Sequence, residues 1–225
     1  AGRCGLGAVM GSKNLKAIAV RGTKDVEVAH PEELEEFVKV LKERAMGPAS
    51  TKYRTYGTLM NFVAYTKLQT IPTHNFGRTY VEGMEKWSDY INERFVVRII
   101  GCYSCPMRCH HVCVVPEGPY KGATARLEYE PTWALSANCG VNRLDATVRA
   151  IELCDHYGLD GISTGVIISF VMDCYEHGYL TKEDLDGIEA RFGNHEAMLE
   201  LVRKIGERDG IGDILAEGVK RAAEI

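Results

Sequence analysis

The sequence contains no hydrophobic run of the about 20 residues that a membrane-spanning helix requires. It also lacks an excess of basic residues. Its net charge of −4 at pH 7 argues against nucleic acid as the main partner, because a protein that binds nucleic acid must neutralise phosphates. No internal repeat, low-complexity segment or secretory signal is recognisable. The hydrophobic fraction of 45% and the charged fraction of 26% are ordinary for a globular protein.

A secreted disulfide scaffold is also disfavoured, although the chain has eight cysteines. Its 225 residues far exceed the length of a disulfide-stapled mini-domain, so we expect a reducing, cytoplasmic compartment. The chain opens without methionine and stops inside a helical pattern. We therefore expect a fragment of a larger protein, inactive by itself.

The glycine-rich opening matches neither of the common nucleotide-binding motifs. In Gly2–Lys13 a serine precedes the lysine, unlike in a Walker A loop, and the glycine spacing differs from the Rossmann pattern. Backbone amides freed by glycine can still hold phosphate, with charge supplied by Arg3 and Lys13. A tight structural turn is an equally good explanation of these residues alone.

The pattern of apolar residues predicts a mainly α, multihelical domain with a short β segment at the N-terminus and a small β-hairpin. Lys16–Arg21 reads as a buried strand, 112–115 and 126–129 as the hairpin, and Thr181–Asp184 as a capping box that opens a short helix. The predicted helices cover approximately 31–45, 58–68, 86–94, 131–138, 143–157, 163–177, 194–208 and 212–224.

The most specific feature is a run of four cysteines with the spacing C-x2-C-x3-C-x3-C, at Cys102, Cys105, Cys109 and Cys113. Such a run favours an iron–sulfur cluster with three local ligands and one distant ligand. Structural zinc is less favoured because no second C-x2-C pair follows, and inert core cysteines are the third possibility. His110 follows the third cysteine, where a histidine can ligate a metal, transfer a proton or tune a potential.

Taken together, the motifs resemble those of the tungsten-dependent aldehyde ferredoxin oxidoreductase family. The resemblance is carried in order along the chain by Ala1–Ala17, Tyr56-Gly-Thr58, Pro72-Thr-His-Asn-Phe76, Gly101–Cys109, Glu128-Tyr-Glu130 and Asp155-His-Tyr-Gly-Leu-Asp160. It implies one tungsten (or molybdenum) between two pterin dithiolenes, with a [4Fe–4S] cluster nearby. It also implies that residues 1–28 end a β-type base domain and that residues 29–225 form a helical domain.

The resemblance further implies roles for individual residues. Cys102, Cys105 and Cys109 resemble the three local cluster ligands, and the fourth ligand of the family would lie beyond residue 225, although Cys113 remains an alternative. Glu130 resembles an active-site carboxylate expected to be buried near tungsten, with Glu128 as the near alternative, and His110 is a second catalytic candidate. The residues expected to bind cofactor are Arg3, Cys4 and Gly5 at the pterin phosphates and their Mg2+, and Asp155, Gly158, Leu159 and Asp160 at a pterin ring.

The implied activity is oxidation of aldehydes to carboxylates, with ferredoxin or an electron-transfer subunit as the acceptor. Within the same superfamily the alternative is the catalytic subunit of the class II, ATP-independent benzoyl-CoA reductase, which would act on an aromatic acyl-CoA. From another class, the alternative is a non-enzymatic iron–sulfur or zinc-binding module. We expect the full-length protein to be an oligomer.

Overall fold

The computed structural model describes residues 3–225, apart from the side chains of Ser88 and Asp89. Ala1 and Gly2 lie outside the described residues, so the segment expected to hold phosphate is described from Arg3 onward. The described helices are α1 (Leu6–Ser12), α2 (Pro31–Met46), α3 (Thr51–Tyr56), α4 (Met60–Lys67), α5 (Trp87–Arg94), α6 (Tyr129–Ala134), α7 (Leu144–Tyr157), α8 (Gly161–Glu176), α9 (His195–Glu207), α10 (Ile211–Leu215) and α11 (Val219–Ala222).

Three antiparallel strands in the order β1-β2-β3 form one sheet: β1 (Val96–Ile100), β2 (His110–Val114) and β3 (Thr124–Leu127). Side chains alternate along β2, so His111 and Cys113 are buried whereas His110 and Val112 are half-buried on the other face. The mainly helical fold class and the hairpin are confirmed. Strand β1 was not predicted, because its sequence Val-Val-Arg-Ile-Ile does not alternate between apolar and polar residues. In the structure the neighbouring Val97 and Arg98 are both exposed.

The core is formed by residues of the sheet, of helices α4 to α9 and of the segments between them. Helix α8 carries no charged residue before Asp173 and buries Ile167, Ile168, Val171 and Met172. Burial of each such side chain stabilises the fold by about 1.5–3 kcal/mol relative to leaving it in water. Helix α9 packs its apolar face against α7, and α6 packs against α8. No helix within residues 3–225 is long and apolar enough to cross a membrane.

Three expectations of local structure were wrong. Lys16–Arg21 is irregular, and Ile18 and Val20 are 71% and 87% exposed, because no strand of the described chain lies beside this segment to complete a ladder. The expected helix 212–224 is divided into α10, which ends at Leu215, and α11, which begins after Gly218 with its φ of 86°. Thr181 and Asp184 do form side-chain to backbone hydrogen bonds, but positive φ at Asp186 and Gly187 stops the segment as a turn.

Helix α2 matches its predicted bounds but contributes nothing to this core. Its apolar face, formed by Leu34, Phe37, Val38 and Leu41, is 45–59% exposed. The segment between α1 and α2 is exposed as well. The packed part of the described chain therefore begins after α2.

Gly165 sets the distance between α8 and α6. A Cβ atom at this position would overlap the backbone of Ala134. We expect Gly165→Ala to lower the free energy of unfolding by about 1–3 kcal/mol, because the helices must move apart. Gly11→Ala in α1 is the control, since nothing lies within 4 Å of its Cβ position. Urea unfolding measures both variants, and equal midpoints would contradict this account of the helix contact.

Candidate cofactor site

The Asp160 carboxylate joins the glycine-rich opening to the start of α8. Its Oδ1 accepts hydrogen bonds from the backbone N–H groups of Ile162 and Ser163, at 3.0 and 2.8 Å, and so caps the helix. Its Oδ2 accepts from the Cys4 N–H at 2.6 Å, across 156 residues of sequence. The loop expected at the phosphates and the motif expected at the pterin are therefore attached to each other directly.

Two glycines make this attachment close. Gly158 ends α7 with a φ of 69°, in the left-handed region that favours glycine. A Cβ on Gly7 would lie 2.6 Å from the Gly158 Cα, so the two backbones touch without side chains between them. Leu159 packs against the core, whereas Asp155 is exposed and has an interaction partner. Asp160 thus acts within this chain as a connecting carboxylate.

A cavity of about 400 Å3 opens beside this junction. Its walls are formed by Arg3 from the opening, Thr58 and Asn61 from the α4 region, Glu128, Tyr129, Glu130 and Pro131 from the start of α6, and Ile162 from α8. Three expected site residues, Arg3, Glu130 and Glu128, meet in this one space. Glu130 is exposed at its rim, not buried as expected, because it occupies the outward side of the first turn of α6.

Thr58 fixes the position of Glu128 in this cavity. Its hydroxyl donates to Glu128 Oε2 at 2.9 Å and accepts from the Tyr129 N–H at 2.9 Å. Glu128 Oε1 is buried without a hydrogen-bond partner; His110 Nε2 and Arg126 Nε lie 3.5 and 3.6 Å away, in ion-pair contact only. Because a buried, unsatisfied carboxylate oxygen is costly, this atom is a candidate to receive a hydrogen bond from a bound group.

A second cavity of about 370 Å3 lies on the other side of Glu128. It lies between the sheet and the segment that joins α7 to α8, and it shares Glu128 and Pro131 with the first cavity. Its remaining walls are Ile100, Val112, Arg126, Ile151, Cys154, Asp155 and Gly161. The expected pterin residue Asp155 and the sheet that carries the cysteine run therefore face one groove.

The first three cysteines of the run lie on or beside the loop that joins β1 to β2. Cys102 is exposed and Cys105 and Cys109 are half-buried. Burial, followed by the charge of Glu128, raises the pKa of the Cys109 thiol. A Cβ on Gly57 would lie 2.7 Å from the Cys109 carbonyl oxygen, so this glycine lets the segment preceding Thr58 lie against the loop.

Cys113 differs from these three because it points into the core. It is completely buried on the inner face of β2, and burial raises the pKa of its thiol to about 12. A metal ligand must be a thiolate, which this environment disfavours. Within residues 3–225, no three His, Cys, Asp or Glu side chains form an arrangement typical of a single metal ion.

His110 lies between the cysteine loop and Glu128. Its Nε2 is 3.8 Å from Cys102 Sγ, and its Nδ1 is 3.4 Å from Arg126 Nη1. Because arginine can only donate, Nδ1 is assigned as the acceptor and the ring proton is assigned to Nε2. His111, by contrast, is buried on the inner face without a hydrogen-bond partner at either ring nitrogen, and burial lowers its pKa.

These residues fit a pterin–metal group with an adjacent cluster. Three observations carry this fit: the thiols of the cysteine loop, Glu128 Oε1 without a hydrogen-bond partner between the two cavities, and the contact of Gly7 with Gly158. That contact brings the glycine-rich N-terminal segment against the Asp155–Asp160 motif. Sequence reasoning missed Asn61 and Arg126 as lining residues. Arg126 alternates with the buried Ala125 and Leu127 along β3, so strand alternation is the signal that could have identified it.

Comparison with known proteins places these features in a family. Residues 32–225 match the family model described as aldehyde ferredoxin oxidoreductase, domains 2 and 3. The whole chain is 41% identical to the tungsten-containing aldehyde ferredoxin oxidoreductase of Pyrococcus abyssi and 40% identical to that of Thermococcus kodakarensis. It spans 37% of the length of each of these relatives.

One solved structure resembles this chain over nearly its whole length. The chain resembles the active-site complex BamBC of benzoyl coenzyme A reductase in complex with 1,5-dienoyl-CoA, with a TM-score of 0.73 and 29% identity. The match covers 97% of this chain and 35% of that chain. An aliphatic sulfonate oxidoreductase, WOR-like subunit, of Pyrococcus furiosus is 35% identical over 99% of this chain and 36% of the relative.

The two roles of Asp160 can be separated by substitution. Asp160→Ala removes both the helix cap and the Cys4 contact, and loss of the cap alone costs about 1 kcal/mol. Asp160→Ser keeps a capping oxygen but has no second oxygen for the Cys4 N–H. We expect Asp160→Ala to speed the exchange of backbone amide hydrogens in residues 4–12 and 161–164. Asp160→Ser should speed this exchange only in residues 4–12. Unchanged exchange at residues 4–12 in both variants would refute the junction.

Proposed function

Because the chain belongs to the aldehyde ferredoxin oxidoreductase family, we propose that it forms part of a tungsten bis-pterin oxidoreductase with a [4Fe–4S] cluster. In this proposal residues 1–28 end a β-type base domain and residues 29–225 form a helical domain that covers the cofactor. The start of the family match at residue 32 supports that boundary. The observation that carries the proposal is the Asp160–Cys4 junction, which joins two cofactor motifs through one carboxylate.

Each part of the cofactor has proposed partners in this chain. Arg3, Cys4 and Gly5 hold the pterin phosphates and their Mg2+, with Cys4 contributing backbone. The Asp155-x-x-Gly158-Leu159-Asp160 motif holds a pterin edge, where carboxylates accept hydrogen bonds from amino groups. The geometry favours Asp155 as the carboxylate that accepts from the pterin, because Asp155 faces the second cavity whereas both oxygens of Asp160 already accept hydrogen bonds within the chain. Cys102, Cys105 and Cys109 supply three thiolates for the cluster.

The proposed reaction is RCHO + H2O → RCOOH + 2 H+ + 2 e−, with the electrons passed singly to ferredoxin. When bound, the metal and cluster supply the redox chemistry, and the protein binds, orients and handles protons. Glu130, on the open rim of the first cavity, exchanges a proton with the substrate oxygen. Glu128, held by Thr58 in the wall between the cavities, directs its free oxygen at the bound group.

The likeness to the benzoyl coenzyme A reductase complex favours one second candidate, reduction of an aromatic acyl-CoA. In that reaction His110 supplies a proton from the side of the cysteine loop. Two parallel assays of the full-length enzyme distinguish the two candidate reactions. One uses small aldehydes with an oxidised acceptor, and the other uses 1,5-dienoyl-CoA. We expect aldehyde oxidation, and turnover of only the thioester would reject it in favour of the second candidate.

The cluster ligands are tested by single substitutions in the full-length protein. We expect Cys102→Ser, Cys105→Ser or Cys109→Ser to remove most iron and the visible charge-transfer absorption, because each replaces a thiolate with a poor ligand. Cys113→Ser is the matched control on the same hairpin, and we expect it to retain both signals. Loss of the cluster in Cys113→Ser alone would reverse the assignment.

The proposed catalytic carboxylate is tested by Glu130→Gln. We expect kcat to fall about 100- to 10,000-fold with tungsten and iron contents unchanged, since the amide keeps the shape of the side chain but cannot accept the proton. Glu93→Gln, on an exposed glutamate of α5, serves as the control. Wild-type kcat in Glu130→Gln would shift the role to Glu128.

A further inference from the structure

The cysteine loop lies in the middle of a segment without acidic residues. The chain has 31 aspartates and glutamates and a net charge of −4, yet none of the acids occurs between Phe95 and Pro116. The same segment contains Arg98, Arg108 and two histidines. The surface formed by β1 and its loop is therefore basic within an acidic chain.

Arg98 and Arg108 are exposed and have no acidic partner among the described side chains. Arg98 lies opposite Val112 in the sheet register, on the face of the sheet that also carries His110 and Arg126. Arg108 extends back along β1 and donates from Nη2 to the Ile99 carbonyl at 3.1 Å. Arg94, by contrast, is neutralised by Glu117 at 2.6 Å. The two guanidinium groups without an acidic partner thus flank β1 beside the cysteines.

Exposed apolar and aromatic groups accompany these charges. The Tyr103 side chain, next to Cys102 in the loop, is fully exposed at 101%, and Val97 at the bulge of β1 is 63% exposed. Tyrosine and arginine are, with tryptophan, the residue types enriched among those that carry most binding energy at protein interfaces. We define Val97, Arg98, Tyr103 and Arg108 as the loop rim.

We propose that the loop rim is the docking surface for an acidic, ferredoxin-type electron carrier. This inference rests on the proposed function, in which the adjacent cysteines hold the cluster from which electrons leave. Each docked carrier, in its oxidised form, accepts one electron, so two carriers are reduced for each aldehyde oxidised. Opposite charges guide the carrier to the loop, and Tyr103 supplies the apolar contact once it arrives.

A different role for the two arginines would be to compensate the negative charge of the cluster. That role predicts a shifted midpoint potential in charge-reversal variants and equal losses with every electron acceptor. Docking predicts a loss of kcat/KM confined to the protein carrier, with turnover of a small acceptor unchanged. A small viologen dye needs no docking surface, so it separates the two roles.

The test uses full-length holoenzyme with Arg98→Glu, the double variant Arg98→Glu/Arg108→Glu and Tyr103→Ala. The control is Arg191→Glu, an exposed arginine beyond the far end of α8. We expect kcat/KM for a [4Fe–4S] ferredoxin to fall about 10-fold or more in the charge reversals, within the range of electrostatic steering. Viologen turnover should match the wild type in every variant.

Ionic strength provides the second measurement. Raising salt from about 0.01 to about 1 M shortens the Debye length from about 30 to about 3 Å. The wild type and Tyr103→Ala should lose ferredoxin affinity over this range, whereas the double charge reversal should lose little. Ferredoxin kinetics in the double variant that match the wild type would overturn the proposal, as would equal losses with viologen.

Failure of the docking proposal can be told apart from failure of the proposed function. Aldehyde oxidation with viologen tests the function without any carrier. The dissociation constant of ferredoxin, measured by calorimetry at low salt, tests docking without any aldehyde. Binding that is weakened by Arg98→Glu but not by Arg191→Glu supports the loop rim whatever the substrate proves to be.

Discussion

The candidate site depends on the shared hydrogen bonding of one carboxylate. Asp160 caps α8 with one oxygen and receives the Cys4 N–H with the other. Helix α8 is the most apolar helix of the core and is fixed against α6 by the contact at Gly165. The stability of the core therefore also orders the glycine-rich opening, and a loop expected to hold phosphate gains a rigid foundation.

Two close backbone contacts hold the other parts of the candidate site together. Gly7 meets Gly158 at the junction, and Gly57 meets the Cys109 carbonyl at the cysteine loop. Side chains at these positions would separate the opening from the motif, or Thr58 from the loop. Because Thr58 in turn holds Glu128, the cysteine loop, the two cavities and the start of α6 form one connected arrangement.

Much of the fold could be predicted because apolar periodicity is strong in the buried helices; α7, α8 and α9 lie within two residues of their expected bounds. Periodicity failed where structure depends on distant partners. The apolar segment Lys16–Arg21 has no neighbouring strand in the described chain, and β1 is an edge strand with an irregular pattern. The site residues came from family resemblance, since a contact across 156 residues leaves no local signal.

The structure also refines two of the expected roles. Strand alternation turns Cys113 into the core while Cys102, Cys105 and Cys109 stay near the loop, and it directs His110 toward Glu128. The most direct test of this account is the metal content of the full-length protein purified without oxygen. We predict tungsten together with about four iron atoms for each cluster. Stoichiometric zinc without tungsten or molybdenum would contradict the account.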